Sequence, residues 1–124
     1  MDNLHIVKTK YTLEVNFDKD SGILQMEGSS YPENAFDFFA PILKWLKRFA
    51  CENNKPIVMN MKLNYLNTSS TKCILDIFEL LHTYMHSGNQ VELNWHYDKD
   101  DTDMMETGEE LIEDFDIPFN LISN

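Results

Sequence analysis

Residues 64–71, NYLNTSST, place four hydroxyl side chains in a row, Thr68, Ser69, Ser70 and Thr71, directly after a strand-like run. One hydroxyl or amide at such a place caps the helix that follows, and Asn67, Thr68 or Ser70 could each do so. The setting suits a second use as well. At the carboxyl end of a strand, where a helix begins, free amides and the helix dipole favour an anion, so the fold would tolerate a phosphate on one hydroxyl. That phosphate would add about −1.5 to −2 charges at one surface point.

The remaining reactive side chains point to less. His82 and His86 are four apart, a spacing that can hold zinc. Thr83 stands where HExxH needs Glu, no CxxC accompanies the pair, and no metal site is expected. The stretch 98–116 carries ten of the chain's 21 carboxylates. Counted as a calcium loop from Asp98, it offers Asp100, Thr102 and Glu109 at ligand positions. Asp103, however, occupies the sixth position, where the turn demands Gly, so the stretch reads as a solvated acidic face. Nucleotide and hydrolase signatures are absent, no cofactor is expected, and the motifs do not support an enzyme. Cys51 and Cys73 fall in expected helices and read as small core residues of a reduced, cytoplasmic protein.

Composition narrows the partners. With 124 residues and 43% hydrophobic residues the chain is expected to form one globular domain over 1–124. A net charge of −11 argues against nucleic acid and anionic membrane surfaces, which both select clustered Lys and Arg. No run approaches the roughly 20 apolar residues that span a bilayer, so membrane insertion is not expected.

The elements that position these residues follow from periodicity. TLEVNF (12–17) and ILQMEG (23–28) read as a hairpin around Ser21-Gly22. A helix then starts with Ser30 as cap, Pro32 in the first turn and Glu33 at the positive end of the dipole. Phe36, Phe39, Leu43, Leu46, Phe49 and Ala50 form its apolar face, and Pro41 predicts a kink or break near Phe38. In PIVMNMKLNYL (56–66) the odd positions, from Ile57 to Tyr65, predict a strand with one buried face. A helix from about Thr71 carries Ile74, Ile77, Phe78, Leu81 and Met85 on one stripe and stops at Gly88. VELNWHY (91–97) predicts a strand, METGEELIEDF (105–115) a short acidic helix, and IPFNLI (117–122) an irregular edge segment. The order predicts an α/β domain, a mixed four- to five-stranded sheet with helices mainly on one face.

Three segments carry a family resemblance: GSSYPENAFDFFAPILKWL (28–46), LNYLNTSSTK (63–72), and VELNWHYDKDDTDMMETGEEL (91–111) with IPF (117–119). Together they resemble the SiaC family of bacterial regulatory phosphoproteins. The resemblance implies a single STAS-like domain, like that of the anti-sigma factor antagonists. It implies that Thr68 is phosphorylated by a cognate protein kinase and dephosphorylated by a PP2C-type phosphatase, with Asn67, Ser69 and Ser70 shaping the loop. It implies an unphosphorylated form that binds and activates a diguanylate cyclase, promoting cyclic di-GMP signalling and biofilm formation. Tyr31, Pro32, Glu33 and Asn34 are candidates for the partner surface, although Pro and Glu also suit an ordinary helix start. The competing readings are an anti-sigma-antagonist-like switch with another effector and an acidic calcium-responsive protein.

Overall fold

The computed structural model describes residues 1–124. Six strands form one sheet in the order β1 (Leu4–Ile6), β2 (Glu14–Phe17), β3 (Ile23–Ser30), β4 (Ile57–Leu66), β5 (Val91–Tyr97) and β6 (Phe119–Ser123). The first three are antiparallel neighbours, and β3 to β6 run parallel. The expected four to five strands are therefore corrected to six. β1 is too short to show a period, and the segment expected to be irregular at 117–122 closes the sheet as β6. An edge strand needs ladder partners on one side only, so a weak strand pattern suffices there.

Each parallel step is spanned by a helix: α1 (Ala35–Glu52), α2 (Thr68–His86) and α3 (Thr102–Ile112). Right-handed crossovers that always step in the same direction place every helix on the same face of the sheet. Burial agrees: Leu24, Met26, Ile57, Met59, Met61, Leu63, Leu93 and Trp95 lie beneath the helices at 5% exposure or less. The opposite face is polar. There the side chains of Asn60, Asn94 and Asn120, register partners on β4, β5 and β6, are joined by hydrogen bonds of 2.9 Å.

α1 buries Ala35, Phe39, Ile42, Trp45, Leu46 and Phe49, a stripe of helical spacing. Its start differs from expectation. Ser30 is the buried last residue of β3, and the cap is Asn34, whose Oδ1 accepts from the Asp37 amide at 3.2 Å. Pro32 and Glu33 thus precede the helix. α1 also runs unbroken through Pro41. Asp37, whose carbonyl Pro41 cannot reach, is exposed, so water can take up that acceptor. Two residues expected inside are outside, Phe36 at 58% exposure and Cys51.

Tyr65 is a further correction, with a local cause. Gly28 pairs with Leu63 and Ser29 with Tyr65, so Asn64 is an extra residue in β4. This bulge shifts the alternation by one. Leu66 turns towards the helices opposite Ser30, and Tyr65 turns out to 52% exposure.

Candidate functional site

Two helix starts meet at the carboxyl edge of the parallel sheet. β3 ends at Ser30 and leads through Tyr31–Asn34 into α1, while β4 ends at Leu66 and leads through Asn67 into α2. Ser30 and Leu66 are register partners, and the Asn67 amide donates to the Ser30 carbonyl at 2.9 Å. The carboxyl edge of parallel strands is where α/β folds commonly place their sites, because loops and helix N-termini converge there.

The four hydroxyls have different fates. α2 begins at Thr68, three residues earlier than its apolar stripe indicates, because Asn67 is the cap. Its Oδ1 accepts from the Ser70 amide at 2.8 Å, which occupies one of the free donors of the first turn. Ser70 is fully buried, and its hydroxyl shares a 2.7 Å hydrogen bond with the equally buried Ser30 hydroxyl. Thr71 is half-buried and donates back to the Asn67 carbonyl at 3.1 Å. Thr68 and Ser69 alone are exposed, as the first two residues of the helix. A phosphate on Thr68 would stand at the positive end of a 19-residue helix, with the exposed Lys72 one turn on along the same face.

The surroundings are aromatic on one side and acidic on the other. The rings of Tyr11, Tyr31 and Tyr65 pack edge to face, with centroids 5.1 and 5.6 Å apart along the series, and all three residues are exposed. The Lys72 ammonium lies 5.7 Å from the ring centroid of the exposed Phe36, tying the first turn of α1 to the second turn of α2. On the other side, Thr71 and Tyr65 share a groove with Asp101 and Asp103 at the start of α3. Asp101 caps that helix, its Oδ1 accepting from the Met104 amide at 3.0 Å. So one carboxylate of the rejected calcium loop works as a helix cap.

Of the residues singled out from sequence, Asn67, Thr68, Ser69 and Ser70 are contiguous, and Tyr31 reaches them through Tyr65. Pro32 is half-buried beside them, and Glu33 and Asn34 are exposed. Sequence reasoning missed Ser30, Tyr11 and Tyr65. An exposed aromatic cluster has no signature in one chain until topology brings its members together. The one buried thiol, Cys73, has its pKa pushed up by burial and by Asp76, with Lys72 opposing, and so is a poor nucleophile.

The fold is a single α/β domain, a six-stranded mixed sheet with three helices on one face, and the accessible Thr68 stands at the start of the helix that follows β4. Comparison with known proteins gives the particular family. Residues 6–124 match the family described as SiaC family regulatory phosphoprotein, and the chain belongs to that family. It is 40% identical over 119 residues to an uncharacterized protein of Pseudomonas aeruginosa (strain UCBPP-PA14), covering 96% of this chain and 94% of that one. It superposes with a TM-score of 0.94 on apo-SiaC from Pseudomonas aeruginosa, at 38% identity and over 98% of this chain and 99% of that one. The same TM-score, identity and coverages hold for SiaC from Pseudomonas aeruginosa in complex with the diguanylate cyclase SiaD, of which it is the activator.

Proposed function

We propose that this protein is a phosphorylation-controlled activator of a diguanylate cyclase, and that Thr68 is its switch. The observation that carries this reading is the accessibility of Thr68 at the first position of α2, beside a hydroxyl, Ser70, that is buried and bonded. A kinase can reach the first and not the second. The likeness to an activator of a diguanylate cyclase supports the choice of effector.

The switch works through occlusion. The cyclase docks on the carboxyl edge of the sheet, over Tyr31, Pro32, Glu33, Asn34 and the exposed Tyr65 and Phe36, a surface with the aromatic character of protein interfaces. A phosphate on Thr68 brings a dianion into that footprint, where docking must desolvate it with no cationic group of the cyclase to receive it. A 100-fold loss of affinity needs only about 2.7 kcal/mol, which one unpaired buried dianion exceeds. A PP2C-type phosphatase restores the binding form. Two free cysteines and the absence of any helix long and apolar enough to cross a membrane accord with a place in the cytoplasm.

The test has two parts. Unphosphorylated protein added to its cyclase should raise the rate of cyclic di-GMP formation, and peptide mapping after kinase treatment should find phosphate on Thr68. Phosphate confined to Ser69, or no change in cyclase rate, would contradict the respective half of the proposal.

A further inference from the structure

At the opposite end of α2, about 27 Å from Thr68 at 1.5 Å per residue, the helix presents His82 and His86 to a third residue that sequence spacing could not reveal. Asp116 Oδ1 lies 2.9 Å from His82 Nε2 and 3.0 Å from His86 Nε2. The three ligand-type atoms all lie within 4.8 Å of one another. We propose that His82, His86 and Asp116 form a binding site for one divalent transition-metal ion of the zinc class.

The chemistry and the framework both favour it. Two imidazole nitrogens and a carboxylate oxygen are a donor set of zinc, with water in the fourth place of a tetrahedron. Metal–ligand bonds of about 2.0–2.2 Å place neighbouring ligand atoms about 3.3–3.6 Å apart. The two contacts to Asp116 are slightly shorter than that, so small side-chain rotations admit the ion. Histidines four apart on a helix share one face without any rearrangement of the backbone. Asp116 is held by its neighbours: Phe115 packs edge to face against Phe78 and His82, at 5.9 and 5.6 Å, and Ile117 is 4% exposed. The site is open to entering ions, because Asp116 and His86 are exposed and His82 is half-buried. Bound metal would join the last turns of α2 to the connection between α3 and β6. It would act apart from Thr68 and does not rest on the reading of that site.

Zn²⁺ titration of the full chain by calorimetry at neutral pH tests the proposal. Binding at one ion per chain is expected, weakened at least about 10-fold in Asp116→Asn and in each of His82→Asn and His86→Asn. Co²⁺ should give the intense visible absorption of a four-coordinate ion, and Zn²⁺ should raise the melting temperature of the wild type but not of Asp116→Asn. All three residues lie at the surface, so the metal-free variants should melt close to the wild type. Absence of one-to-one binding would overturn the proposal. So would an affinity unchanged in Asp116→Asn, which would reduce the site to a histidine pair.

Discussion

The hydroxyls of Ser30 and Ser70, 40 residues apart in the chain, share a 2.7 Å hydrogen bond with no solvent exposure at either residue. This bond joins the end of β3 to the first turn of α2. It also sorts the NTSST hydroxyls, withdrawing Ser70 and leaving Thr68 and Ser69 at the surface. In a buried site each serine is the other's satisfaction. Ser30→Ala or Ser70→Ala should each destabilise the protein by about 1–3 kcal/mol, since each leaves a buried hydroxyl unpaired. The double variant should lose less than the sum of the two. Chemical denaturation of the four proteins measures this, and strict additivity would mean that the two hydroxyls do not act as a pair.

Gly108 makes a second packing prediction. A Cβ there would stand 2.6 Å from Trp95 Nε1 and 2.7 Å from Cδ1. Trp95 cannot give way easily, because it is fully buried and donates to the Met104 carbonyl at 3.0 Å. Gly108→Ala should therefore destabilise by about 1–3 kcal/mol despite the better helix propensity of Ala. A melting temperature at or above the wild-type value would show that α3 can lift from β5 without loss.

The cysteines should differ sharply in reactivity. Cys51 is exposed, whereas Cys73 is buried, and burial pushes its thiol pKa up. At neutral pH a thiol reagent should modify one cysteine quickly in the native protein and the second only on unfolding. Cys51→Ser should remove the fast phase. Two equal fast phases would place Cys73 nearer the surface than its 0% exposure indicates.

How much of this could be read from sequence depends on the range of the interaction. The hairpin, β4, β5 and the stripe of α2 follow from local alternation and helical spacing, and the structure bears them out. The errors share one origin, in that the deciding partner lies far along the chain. Ser30 has the chemistry of a cap, yet β3 continues through it because β4 offers ladder partners up to Leu66. Tyr65 fits the buried alternation of β4 until the bulge at Asn64 reverses it. Pro41 signals a break, but its missing bond falls on the solvent side of α1. Thr68 was legible as one of several hydroxyls after a strand and became a specific expectation through the family resemblance. That Ser70 is withheld from solvent could not be read, because Ser30 belongs to another strand. Asp116 was hidden from the histidine pair for the same reason, 30 residues separating it from His86.

The central claim is that phosphate on Thr68 acts by occupying the docking surface and not by unfolding the domain. Thr68→Ala should fold, bind the cyclase and ignore the kinase. It keeps Asn67, the cap of α2, and Ala has the better helix propensity, so its stability should hold or rise by a few tenths of a kcal/mol. Thr68→Glu should fold and bind more weakly, as a partial mimic with less charge than phosphate. The most direct measurement compares cyclase affinity and melting temperature for the wild type and for protein stoichiometrically phosphorylated on Thr68. Affinity should fall by about 100-fold or more while the melting temperature holds. An unchanged affinity, or a loss that merely follows a collapse of the melting temperature, would contradict the account.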